Sequence, residues 1–158
     1  VKERLAIMLI GFTALFFYLV TPDVARASSE ISIETKAGGY QYKVIMGQKP
    51  FTWEIGQKGS VLSIEESENN LVELDMFRNS VEDIKQQQFK VAFSIFYLFI
   101  IGTVLVIAKR KKKVIGKEYL LIIIVLAGIT FYYGLLASFG LNHSLRDAEF
   151  YYLWLIHE

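Results

Sequence analysis

Apolar residues are concentrated in three long runs, at 5–20, 89–108 and 119–140, and the segments around them are polar. The second run, FKVAFSIFYLFIIGTVLVIA, carries one charge, Lys90, at its edge, where a long side chain can reach the headgroup layer. The third run, YLLIIIVLAGITFYYGLLASFG, carries none. Each is about 20 residues long, the length at which an α-helix crosses a bilayer. The pattern predicts two transmembrane helices, 89–108 and 119–140. The first run differs. Lys2 and Arg4 precede it, and Pro22 and the small-residue pattern Ala25-Arg26-Ala27 follow it. Residues 1–27 are expected to be a signal peptide or, if uncleaved, a third, signal-anchor helix.

Between the first and second runs the pattern changes to period two. Ile31 and Ile33 share a face, as do Tyr40, Tyr42, Val44 and Met46, then Phe51, Trp53 and Ile55, then Leu62 and Ile64. Alternation bounded by AGG, GQKP and GQKG predicts four half-buried strands joined by turns, a small antiparallel meander within an outer domain at 28–88. The next stretch, NNLVELDMF, fits two periods. Leu71, Leu74 and Phe77 have helical spacing, while Val72, Leu74 and Met76 have strand spacing; a fifth strand is expected here. The pattern Ser80-Val-Glu-Asp83 then suggests a capped helix start, and that helix would continue into the run at 89–108 and couple the domain to its anchor.

Charge turns this pattern into a topology. Residues 28–88 hold ten acidic and six basic side chains, whereas 109–118 hold six basic and one acidic. Five consecutive cations, Lys109, Arg110, Lys111, Lys112 and Lys113, sit in the short loop 109–118 between two apolar runs. By the positive-inside rule that loop is cytoplasmic, which places 28–88 and the tail 141–158 outside. Nucleic-acid binding is the rival use of such a cluster. It needs a fold that presents the charges, and a loop tethered at both ends to membrane offers none, so no nucleic-acid partner is expected.

The tail, NHSLRDAEFYYLWLIHE, is dense in aromatic rings. Ser144-Leu-Arg-Asp147 repeats the capping pattern, and Leu145, Ala148, Tyr152, Leu155 and Ile156 share a helical face. A short interfacial helix is expected, lying on the outer surface or packed under the outer domain, with Phe150, Tyr151, Tyr152 and Trp154 as membrane-interface anchors. Both histidines of the chain, His143 and His157, are here with Asp147 and Glu149. Zinc normally requires three or four converging ligands, and nothing in this spacing fixes such convergence.

These readings narrow the chemistry. The chain has no cysteine, so disulfides and thiolate metal sites are excluded. Neither central run carries an acidic, basic or histidine residue in its interior, where proton relays and ion paths usually have one. Tyr40, Tyr42, Phe51 and Trp53 are candidate partner contacts if their face is exposed, and core if it is not. Gly134 and Ser138 form a small-xxx-small pair that allows close helix approach, to a partner or within the chain. The expected fold class is an α+β integral membrane protein. The expected function is that of a non-enzymatic accessory or assembly subunit of an envelope complex for secretion, export or signalling, bound to another membrane protein or to copies of itself, with no cofactor or metal. The alternative is an immunity or sensor protein that captures a peptide or envelope signal at the outer face.

Overall fold

The computed structural model describes residues 31–47, 50–110 and 117–157. The N-terminal run 5–20 and Lys111, Lys112 and Lys113 lie outside the described residues. The fold is α+β, with four strands followed by two long helices: β1 (Ile31–Ala37), β2 (Tyr40–Met46), β3 (Thr52–Gln57), β4 (Ser60–Glu65), α1 (Leu71–Arg110) and α2 (Lys117–His157).

The strands form one antiparallel sheet in the order β1-β2-β3-β4. Its register follows the alternation. Val44 pairs with Ile33 and Trp53, Tyr42 with Thr35 and Ile55, and Trp53 with Ile64, so the apolar set lies on one face. Two of the hairpin turns use left-handed backbone. Gly38 and Gly39 have φ of 60° and 87°, and Lys58 and Gly59 have 49° and 95°. Positive φ at both central residues gives a tight hairpin whose twist matches that of the strands. A Cβ at Gly38 would stand 2.7 Å from Leu145 Cδ2 and 2.8 Å from Ile84 Cγ2. The first turn therefore seats directly on both helices.

Residues 71–77, expected as a fifth strand, are instead the first two turns of α1. Asn70 accounts for the start. Its carbonyl accepts the Leu74 N–H at 2.9 Å, and its side chain accepts from Ser67 N at 2.8 Å and donates to the Glu65 carbonyl at 3.0 Å. The end of β4 is thus tied to the helix start. Packing settles the period: Leu74, Phe77, Val81 and Ile84 are buried, while Val72 and Met76 face out.

Neither capping pattern starts a helix. Ser80 and Ser144 lie inside continuous helices, where their hydroxyls donate to the carbonyls of Met76 and Gly140, four residues earlier. The helices are accordingly long, 40 and 41 residues. At 1.5 Å per residue each is about 60 Å, roughly twice the hydrocarbon thickness of a bilayer. The tail is no separate short helix; it is the last four turns or so of α2.

The two helices run antiparallel in steady register. Phe77 meets Tyr152 with ring centroids 6.1 Å apart, a Cβ at Gly140 would come within 2.9 Å of Gln87, and one at Gly134 within 3.0 Å of Ser94. The core lies where their polar-flanked ends carry the sheet. Tyr40 from β2 meets Phe77 from α1 at 6.2 Å and Tyr152 from α2 at 6.3 Å, three rings from three elements. Tyr42, Ile55, Leu74, Val81, Ile84 and Ala148 pack around them, with Ala37, Val44, Trp53 and Leu155. Each fully buried large side chain contributes roughly 1.5–3 kcal/mol. Beyond Ile84 no residue of α1 is buried, although the helix continues for 26 residues to Arg110.

Candidate functional site

Three of the four aromatic residues offered as partner contacts are core. Tyr40, Tyr42 and Trp53 are at least nine-tenths buried, and Phe51 packs partly buried against them. Their polar atoms are satisfied inside the domain. Trp53 Nε1 donates to Glu66 Oε2 at 2.9 Å, and Gln57 Nε2 donates to Tyr40 Oη at 2.9 Å. The apolar face of the sheet is spent on the helices, so it offers no free aromatic surface. Gly134 is likewise used within the chain, against Ser94, while the Ser138 hydroxyl donates to the Gly134 carbonyl.

The other face of the sheet is polar. Lys43 and Glu54 are direct cross-strand neighbours with an N–O separation of 3.5 Å, and Lys36 pairs with Glu34 at 2.8 Å. Exposed pairs of this kind contribute at most about 1 kcal/mol and leave a solvated surface.

The bond that joins sheet to helix beside the core has different weight. Tyr42 Oη donates to Glu82 Oε1 at 2.6 Å, across 40 residues of sequence. Burial pushes the Tyr42 hydroxyl up from 10.0 to about 12, and the bond to Glu82 adds to the shift. Burial also raises Tyr40, against a smaller opposing effect of the Gln57 bond. For Tyr42 the consequence for stability has a definite sign. Above the ordinary tyrosine pKa the unfolded chain has released this proton while the folded chain still holds it. The folded state then binds more protons, and stability falls as pH rises through that window. The loss approaches about 2 kcal/mol as the pH nears the folded value. Denaturant midpoints taken across alkaline pH will fall more steeply for the wild type than for Tyr42→Phe; parallel profiles would contradict the assignment.

The tail residues have diverged roles. Tyr152, expected at a membrane boundary, is 6% exposed in the core, and Leu155 lies beside it. Tyr151 and Trp154 are half-buried against the same cluster. Phe150 is 63% exposed and Leu153 44%. These two, with Trp154 and His157, form a shallow apolar depression near the end of α2. Phe150 lies ten residues past the apolar run, about 15 Å along the helix axis, too far to sit at its boundary. At the start of α1, which is antiparallel to α2, Val72 and Met76 are also exposed, at 59% and 44%. The end of the helix pair away from the apolar runs thus carries large apolar side chains in the open. The helical face of Leu145, Ala148, Tyr152 and Leu155, legible in the sequence, turns inward, and Phe150, Leu153 and His157 fall opposite it.

His143 Nδ1 stands 3.6 Å from Asp147 Oδ1, one helical turn on, at an exposed position. Among the described residues no three His, Asp or Glu side chains converge as metal ligands. Lys109 and Arg110 form the last turn of α1. Cations there complement the carbonyl end of the helix dipole. Comparison with protein families, curated proteins and solved structures gave no match for this chain.

Proposed function

We propose that the chain is a non-enzymatic membrane subunit that holds a small β-domain outside the bilayer and docks a larger membrane partner of an envelope complex. Both helices are long and apolar enough to cross a membrane. Their apolar runs expose large side chains, among them Leu121, Ile124 and Phe139 at 64%, 62% and 71%. Exposure of this density is tolerable in lipid and costly in water. With the cations after Ala108 kept on the cytoplasmic side, the sheet and both polar helix ends stand outside.

The observation that carries the docking role is the exposed apolar depression of Phe150, Leu153, Trp154 and His157 on α2, with Val72 and Met76 also exposed at the neighbouring end of α1. These side chains lie well clear of the proposed bilayer, so lipid does not cover them. Apolar groups exposed at the tip of a rigid stalk suit a protein contact, since interface cores are enriched in aromatic residues and methionine. The stalk is rigid because the helices that bear the tip are the helices that span.

A photo-reactive residue placed at position 150 tests this. In native membranes it should cross-link one membrane protein in fixed ratio, and Leu153→Ser with Val72→Ser should abolish the product while the chain remains in the membrane. Cross-linking to nothing, or to many proteins in no fixed ratio, would refute the docking role.

A further inference from the structure

A groove of about 770 Å³ opens where the sheet domain meets the apolar runs. Its wall is mostly α1, with Thr35 of β1 at the sheet side and Tyr133 of α2 at the other. Along α1 the lining is graded. Glu82, Lys85 and Gln86 come first, then Phe89 and Lys90, then Phe93 and Ser94. Phe89 and Phe93 stack along the helix with centroids 5.6 Å apart. A groove that is polar at one end and aromatic at the other fits an amphiphile.

Charge selects which amphiphile. Two ammonium groups and one carboxylate line the groove, and the carboxylate already accepts the Tyr42 hydroxyl at 2.6 Å. Both lysines are exposed, and among the described residues neither forms an ion pair. Depth agrees. Lys90 stands at the edge of the apolar run, and Lys85 is five residues, about 7.5 Å, further out. The headgroup layer on one side of a bilayer is roughly 5–7 Å thick, so a phosphate at that level would lie between the two cations. The aromatic end would then lie at the depth of the acyl chains.

We propose that this groove binds one anionic phospholipid of the outer leaflet, its phosphate between Lys85 and Lys90 and an acyl chain against Phe93 and Tyr133. The inference rests on the membrane reading above. It assigns to the junction a lipid contact separate from the distal docking surface.

The test uses the full chain in nanodiscs doped with a photo-cross-linkable phosphatidylglycerol, with cross-linked peptides mapped by mass spectrometry. Cross-links should fall within 85–94 or at Tyr133. Unlabelled phosphatidylglycerol should compete, whereas phosphatidylcholine and inorganic phosphate should not. In the Lys85→Gln, Lys90→Gln double variant labelling should drop about 30-fold, the effect of removing two cations near a charged surface. The variant should keep the wild-type circular dichroism spectrum, since both side chains are exposed. Labelling unchanged in the double variant, or competed equally by phosphatidylcholine, would overturn the proposal, as would competition by inorganic phosphate. A chain that failed to enter nanodiscs at all would instead overturn the membrane reading, so the two failures are distinguishable.

Discussion

Phe77→Ala will release the β-sheet from the helices. Phe77 is fully buried and its ring meets both Tyr40 of β2 and Tyr152 of α2, so one truncation opens a cavity where three elements meet. Removing a buried phenylalanine ring costs about 3–5 kcal/mol. The sheet and the two helix ends that complete its core form a unit of fewer than about 100 residues, whose total stability is only several kcal/mol at roughly 0.05–0.15 kcal/mol per residue. The loss is therefore comparable to everything that holds the sheet in place. The helices should survive, because their backbone bonds are internal and their apolar runs do not depend on this core. Hydrogen exchange in detergent should show β2 and β3 losing protection while 91–106 and 121–137 keep theirs. Phe131→Ala, at a position 56% exposed, should leave both regions unchanged. Retained protection of β2 and β3 in Phe77→Ala would mean that the sheet is held elsewhere.

The second large effect is mechanical. Gln87 lies between the last buried residue of α1, Ile84, and the apolar run that starts at Phe89, and it packs on Gly140 of α2. A proline there removes the N–H that bonds to the Asp83 carbonyl and drives its ring into that carbonyl, at a cost of about 3 kcal/mol or more. The helix would kink at the junction. Because the chain contains no cysteine, spin labels can be placed singly by Ser63→Cys on β4 and Lys109→Cys near the end of α1. The distance between them should be narrowly distributed in the otherwise unaltered chain and broad with Gln87→Pro. A broad distribution before the proline is introduced would show that the sheet and the lower half of α1 are not one body.

The meander was legible in the sequence because period two is a local property. In β2 and β3 the alternation marks the buried face, whereas β4, expected to be half-buried, is almost wholly exposed because it is an edge strand the helices do not cover; Gly38-Gly39 and Gly59 supply the left-handed backbone that tight hairpins need. The presence of two apolar helices was legible from run length alone, but not their extents, which reach Leu71–Arg110 and Lys117–His157. What failed depended on contacts distant in sequence. Residues 71–77 fit both periods, and only the burial of Leu74 and Phe77 against the sheet, with Val72 and Met76 left outside, selects the helix. Ser80 and Ser144 looked like caps because a Ser-x-x-Asp pattern is silent on whether the chain before it is already helical; here it is, and each hydroxyl bonds back one turn. Tyr152 looked like a boundary aromatic because composition cannot distinguish a ring facing lipid from a ring facing Phe77 and Tyr40. Phe150 shares that aromatic composition, although it falls opposite the helical face of Ala148, Tyr152 and Leu155 and is left exposed.

The most direct test of the account is the sidedness of its two ends. A membrane-impermeant thiol reagent applied to intact cells should modify the Ser63→Cys variant at once, and the Lys109→Cys variant only after the membrane is opened. Modification of position 109 from outside, or protection of position 63 until lysis, would contradict the outward display of the sheet and with it both the docking tip and the lipid groove.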